Sequence, residues 1–178
     1  MAQAVTVPAG LTLHERALAG DEKAFDALLG PMIEPALRLA YSMLGDRTLA
    51  EDTTQEAITK AWRKLGQLRS GMPVRPWFLK IVANECRNAR RTRWFRSVRT
   101  ADVFRNDQPT VSRVERIDIA RGVARLPVDD RQALFLYFYL DLPVEEVATV
   151  LGTSPAAAKG RIYRACHRLR PDLLEEDK

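Results

Sequence analysis

The residues best equipped for chemistry in this 178-residue chain are its arginines and lysines, and they fall in two runs. Between Pro76 and Arg105 stand Lys80, Arg87, Arg90, Arg91, Arg93, Arg96, Arg99 and Arg105, opposed only by Glu85 and Asp102. Between Pro155 and Arg170 stand Lys159, Arg161, Arg164, Arg168 and Arg170, with no acid among them. An ammonium group binds phosphate by charge, and a guanidinium can also pair with both acceptors on a guanine edge. Two such runs on a chain of net charge +5 read as two separate contacts with nucleic acid.

Catalytic chemistry has little to work with. Cys86 and Cys166 lie far apart and outside any C-x-x-C pair, and the histidines are only His14 and His167. These cannot supply the roughly four closely spaced ligands of a zinc site, so the cysteines read as reduced thiols packed in helices. A glycine-rich phosphate loop and a Ser/His/Asp arrangement are both missing from the sequence. Glu145 and Glu146 are adjacent carboxylates, but neighbours on a helix diverge by about 100°. The expectation is a protein that is not an enzyme and uses neither cofactor nor metal.

Hydrophobic residues make up 46% of the chain, enough to build real cores. No apolar run approaches the roughly 20 residues that span a bilayer. Met1 to Gly10 lacks the basic and apolar regions of a secretory signal, so the expected location is cytoplasmic.

The basic runs must be positioned by helices, because the apolar residues recur at three- and four-residue spacing almost throughout. Thr12 and Glu15 form a capping-box pattern for a short first helix that Gly20 closes. Asp21 caps the next, with Phe25, Leu28 and Leu29 on one face; Pro31 and Pro35 should then break or kink it. Helix resumes through Leu37, Ala40, Tyr41 and Leu44 to Gly45. Asp46 caps a long helix to about Leu65, whose apolar positions are Ala50, Ala57, Ile58, Ala61, Trp62 and Leu65.

Gln67 to Arg75 reads as a loop, and Pro76 suits the first turn of the helix that follows. Trp77, Phe78, Ile81 and Val82 form the buried stripe there, and the other faces grow basic toward Arg99. Asn106-Asp107-Gln108-Pro109-Thr110 has a linker composition. Ser112 and Glu115 offer a second capping box, and helices are expected at about 113–125, 128–140, 144–151 and 155–170. The fold class is therefore all-α: two small helical domains joined by a flexible linker. Residues 1–11 are expected to be disordered, 12–99 to form the first domain, 100–111 the linker and 112–178 the second domain.

The stretch from Asp141 to Pro155 has the chemistry of a helix-turn-helix. Ala148 is small where the two helices must touch, and Gly152 can take the positive φ of a tight turn. Ser154 and Pro155 start the second helix well. Ile162, Ala165 and Leu169 point back, leaving Lys159, Arg161, Tyr163, Arg164 and Arg168 outward to enter a DNA major groove.

Taken together, the two halves resemble an extracytoplasmic-function (ECF) sigma factor of the sigma-70 family. Gly20-Asp21 with Ala24-Phe25 resembles the start of sigma region 2. Ala50-Glu51-Asp52, Gln55-Glu56-Ala57 and Trp62 match the family's A-E-D-x-x-Q-E-x-F-x-x-x-W pattern, with Ile58 in place of phenylalanine. Arg75 to Asn84 resembles the W-L-x-x-I-A-x-N segment, and Arg90-Arg91 its basic end. Leu126-Pro127 with Arg131 resembles the L-P-x-x-x-R start of region 4, and the helix-turn-helix follows in place.

The resemblance implies a sigma subunit that directs core RNA polymerase to promoters. It implies core binding, to the beta and beta-prime subunits, through Glu51, Asp52 and Gln55. It places the melted, single-stranded −10 element on Lys80, Asn84, Arg87, Arg90 and Arg91, with the 65–75 loop beside them. It places the duplex −35 element on Lys159, Arg161, Tyr163, Arg164 and Arg168. Trp77 reads as core, while Trp94 and Phe95 could contact DNA or a partner or stabilise a helix end. An anti-sigma factor is the implied regulator, and the short tail after Arg170 leaves no C-terminal sensory domain. Pro143, Ala157-Ala158 and Gly160 depart from the family's more usual residues, so the −35 sequence preference is this chain's own. The alternative is a helix-turn-helix regulator that does not act as a sigma subunit. Such a protein would have no use for the Glu51-Asp52-Gln55 face or the Trp77 to Asn84 segment.

Overall fold

The computed structural model describes residues 12–69, 71–100, 122–123 and 125–174, with side chains to Thr92 in the fourth helix and Leu169 in the last. The expected linker beyond Thr100, the N-terminal eleven residues, the Ser112–Glu115 capping box and the side chains of Trp94 and Phe95 lie outside this set. All regular structure among the described residues is helical.

Local chemistry sets the helix starts. Helix α1 (Leu13–Leu18) opens on a complete capping box: the Glu15 amide donates to Thr12 Oγ1 and the Thr12 amide to the Glu15 carboxylate. Asp21 caps α2 (Glu22–Leu44) by accepting from the Ala24 amide at 3.1 Å, and also accepts from Arg16 at 2.6 Å. Asp46 caps α3 (Arg47–Lys64) through the Leu49 amide at 3.0 Å. A 3₁₀ turn over Leu65–Gln67 follows, then α4 (Val74–Thr100), with Pro76 in its first turn. This helix runs on to Thr100, where the linker was expected to begin.

Of the break or kink expected at Pro31 and Pro35, the break does not occur, and α2 runs through both prolines. Being four residues apart they share one side of the helix, with Pro31 exposed and Pro35 half-buried. Each removes one hydrogen bond, but on the outer side, while Leu29, Met32, Ala36, Leu39 and Ala40 bury the opposite side. Tertiary packing there outweighs the lost bonds.

The second unit contains α5 (Val128–Leu134), α6 (Val144–Leu151) and α7 (Pro155–Leu174). The single α-helix expected over 128–140 instead widens after Leu134 into a π-helical turn, Phe135–Tyr139, where the Leu140 amide reaches back to the Phe135 carbonyl at 3.1 Å. The wider turn keeps Leu136 and Leu140 buried and leaves Tyr137, Phe138 and Tyr139 exposed. The chain then leaves the helix at Asp141 with φ of 51°, a left-handed value that short polar side chains tolerate.

Small residues decide how closely the helices approach. Ala50, Ala57 and Ala61 of α3 are fully buried against α2 and α4, and Thr54 satisfies its hydroxyl on the Ala50 carbonyl. In the second unit Ala133, Val147, Ala148, Ala158 and Ala165 do the same between α5, α6 and α7. The two units are not separate: α4 packs against α6 and α2 against α5, so one continuous buried cluster runs through both.

Candidate nucleic-acid interface

On α4 the buried side is built from Phe78, Leu79, Val82, Ala83 and Cys86, all fully inaccessible. Trp77 is half-buried against this core, as its reading as a core residue requires. Lys80, Asn84, Arg90 and Arg91 are exposed, so four of the five expected −10 residues share an accessible surface. Arg87 is the exception. It is half-buried, donating to Asn84 Oδ1 at 2.6 Å and to the Leu151 carbonyl at 3.4 Å. Burial pulls its pKa below the usual arginine value, partly offset by Asp129, and the group stays cationic at neutral pH. Next to it, burial pushes the Cys86 thiol up to about 12, so this sulfur is inert. On the far side of the helix Glu85 pairs with Lys60 of α3 at 2.5 Å, which raises the lysine's pKa.

Glu51, Asp52 and Gln55 of α3 are exposed and stand opposite the buried alanines, so α3 presents an acidic and polar face. Arg47 donates to Glu51 at 2.9 Å, one turn back along the same face. Trp62 sits at the other end of α3, packed edge-on against Phe25 with ring centroids 4.9 Å apart.

The helix-turn-helix has the local geometry its residues call for. Gly152 takes φ of 67°, and the Thr153 amide closes on the Ala148 carbonyl at 2.9 Å. Ser154 Oγ accepts from the Ala157 amide at 3.2 Å and so starts α7. Ala158, Ile162 and Ala165 face inward, while Tyr163 is 71% exposed and Lys159, Arg164 and Arg168 are also exposed.

Sequence reasoning missed what holds the arginines of α7. Asp130, on α5 and 5% exposed, accepts from Arg168 at 2.6 Å and lies 3.5 Å from Arg164. Its neighbour Asp129 lies 3.6 Å from Arg161. The only signal for this was the acid pair itself, two residues after Leu126-Pro127. Three of the five expected −35 residues thus have an internal anchor, and Lys159 and Tyr163 take no part in those pairs. Among the described residues no group of three or more His, Cys, Asp or Glu side chains is placed to hold a metal ion.

Residues 32–96 match the family model for sigma-70 region 2, and residues 116–169 that for sigma-70 region 4. The RNA polymerase sigma-H factor of Pseudomonas aeruginosa is 30% identical across 86% of this chain and 88% of its own. The chain belongs to the sigma-70 family. Its ECF character follows from a second relative, the ECF RNA polymerase sigma factor SigM of Mycobacterium tuberculosis, 30% identical over 85% of this chain and 78% of that one. Among solved structures, CnrH in complex with the cytosolic domain of CnrY matches with a TM-score of 0.70 at 27% identity, covering 93% of this sigma factor and 97% of that chain. The sigma factor RpoE of Bartonella quintana, in complex with the anti-sigma factor NepR, shares the fold with a TM-score of 0.77 at 24% identity, covering 85% of this chain and 97% of that one. In this sigma factor the region 2 match runs from within α2 to α4, and the region 4 match covers α5, α6 and most of α7.

Proposed function

We propose that this ECF sigma factor binds core RNA polymerase through the exposed Glu51-Asp52-Gln55 face of α3, reads the melted −10 element along α4, and reads the duplex −35 element with α7. The observation that carries this is the pairing of one exposed acidic face with two exposed basic faces, each on a different helix of a chain matching regions 2 and 4 in order. An acidic face suits a basic protein partner, and basic faces suit DNA.

On this reading Lys80, Arg90 and Arg91 follow the single-stranded backbone while Asn84 offers an amide to an unstacked base. Lys159 and Tyr163 make the most accessible major-groove contacts. Arg161, Arg164 and Arg168, held by Asp129 and Asp130, act as pre-oriented phosphate or base contacts. Region 2 is taken as 12–99, the connection as 100–111 and region 4 as 112–178, and linking two modest surfaces raises affinity through effective concentration. The protein acts in the cytoplasm as an initiation factor and performs no catalysis of its own. No helix among the described residues is long and apolar enough to cross a membrane, which suits that location. An anti-sigma factor of the kind bound by the structurally similar CnrH-type and RpoE-type chains is the proposed regulator.

Run-off transcription with core RNA polymerase on a promoter library tests the proposal. Defined transcripts should require the chain; Asn84→Ala should weaken −10 use, and Tyr163→Ala −35 use, without loss of core binding. Duplex DNA binding with neither core binding nor transcripts would reduce the chain to an operator-binding regulator.

A further inference from the structure

The two acids in the first turn of α5 meet the arginines of α7 unequally. Asp130, 5% exposed, accepts from Arg168 Nη1 at 2.6 Å and lies 3.5 Å from Arg164 Nη2. Asp129, whose side chain is 61% exposed, lies 3.6 Å from Arg161. An exposed pair of that length contributes little, because water competes for both charges. A carboxylate kept from water and tied by a short charge-assisted bond is a fixed point. Arg164 and Arg168 are one turn apart on α7, so the carboxylate that Arg168 fixes also limits where the Arg164 guanidinium can go.

Gly160 completes the placement. A Cβ at position 160 would lie 3.5 Å from Arg164 Nη1, so the guanidinium lies back along α7, one turn nearer the helix start. That brings it toward the half of the helix where Ala156, Ala157 and Lys159 are exposed. A helix-turn-helix presents this N-terminal half of its second helix to base edges. Ala156, Ala157 and Gly160 offer those edges no polar side chain, and the folded-back Arg164 supplies one.

We infer that Asp130 is a positioning residue for −35 recognition: without touching DNA, it aims Arg164 at base edges and sets how sharply α7 discriminates between −35 sequences. This deepens the proposed −35 role of α7 and rests on it. A guanidinium reads guanine through two parallel N–H donors, which requires its plane to be held; an unheld one binds any phosphate. Arg164 is 55% exposed and more loosely paired than Arg168, so DNA can take up its donors while Arg168 keeps the carboxylate in place. The same negative charge repels phosphate. Losing it therefore acts in two directions: the right base is selected less sharply, and any backbone is attracted more strongly.

The test uses holoenzyme assembled from the full chain and core RNA polymerase. It transcribes promoters that share one −10 element and differ singly along the −35 element, with transcripts counted for each promoter. The parent should use some −35 sequences far more than others. Asp130→Asn should lower discrimination at one or two adjacent base pairs about fivefold or more, the low end of what one bidentate contact supplies. It should do so by reducing use of the best sequences while keeping or raising use of the poor ones. Adding Asp130→Asn to Arg164→Ala should change those base pairs little further. Asp130→Glu, which keeps the charge on a longer arm, should fall between parent and Asp130→Asn there, and it decides the question where the asparagine variant folds poorly. Glu145→Gln removes one negative charge from the exposed surface of α6 and should keep the parent's pattern.

A uniform fall across all promoters, with the pattern intact, would make Asp130 a structural residue only. Equal flattening by Glu145→Gln would reduce the effect to bulk charge, and undiminished flattening on top of Arg164→Ala would show that Asp130 does not act through Arg164. Each of these results overturns the inference. A parent indifferent to −35 sequence would overturn the −35 reading of α7 itself, and the inference with it.

Discussion

Replacing Asp130 by asparagine should loosen α7 from α5 by a calculable amount. The carboxylate is 5% exposed and receives Arg168 at 2.6 Å and Arg164 at 3.5 Å. Hydrogen bonds to charged groups contribute about 1.5–3 kcal/mol, whereas an exposed surface pair contributes about 0–1 kcal/mol. The acid is buried, but the arginine side chains are 49% and 55% exposed and recover water when released. Asparagine also keeps one oxygen for Arg168 while turning an amide toward Arg164. The loss should therefore fall near the low end, about 1–2 kcal/mol. For a chain of this size, unfolding as one body, about 2–4 °C of Tm accompanies each kcal/mol, so Tm should drop by about 2–8 °C. A double-mutant cycle with Asp130→Ala and Arg168→Ala isolates the pair, with an expected coupling of about 1–2 kcal/mol. A coupling below about 0.5 kcal/mol would show that Asp130 is only a surface-type pair, and that α7 owes its placement to Ala158, Ile162 and Ala165 alone.

Gly152→Ala should cost about 1–2 kcal/mol through backbone strain alone, because φ is +67° and an added Cβ meets nothing within 4 Å; denaturant unfolding measures it, and a loss above about 4 kcal/mol would mean that a clash had been missed. Native protein should react with one equivalent of a thiol reagent, at exposed Cys166, and with a second only on unfolding, because Cys86 is buried with its pKa raised to about 12; two fast equivalents at neutral pH would refute that burial. Asp21 has its pKa lowered, first by the hydrogen bond from Arg16 and then by the Ala24 amide. Its contribution is therefore present above the ordinary carboxylate pKa and lost as pH falls through the lowered value, so amide protection factors in α1 and the first turn of α2, corrected for intrinsic exchange, should fall on acidification, and Asp21→Asn should flatten that dependence.

Where a feature depends on residues near each other in sequence, it could be read from sequence. The caps at Thr12, Asp21, Asp46 and Ser154, the αL turn at Gly152 and the bounds of α6 each follow from side chains within a few positions. So did the exposure of Glu51, Asp52 and Gln55, which only needs the alanine stripe on the other side. Pro31 and Pro35 misled because their local penalty is outweighed by burial of residues packed against α3 and α4, which no short window contains. The Asp130 pairs were hidden for a similar reason, the partners being 34 and 38 residues away. Seating of region 4 on region 2 was illegible for a different one: Arg75 and Arg87 bond to backbone carbonyls, and an acceptor that every residue carries leaves no mark in the sequence.

The π-helical turn at Phe135–Tyr139 acts as a residue of slack. A turn that takes five residues where an α-helix needs about four holds one more amino acid than its length demands. Deleting one of the three exposed aromatics there could restore a regular α-helical turn and leave Leu136 in place, with Leu140 still able to reach the core. Adding a residue has no such outlet. The spacing between Leu126-Pro127 and the helix-turn-helix is thus elastic in one direction only, and sigma factors of this architecture that are one residue shorter here can keep the same three-dimensional register.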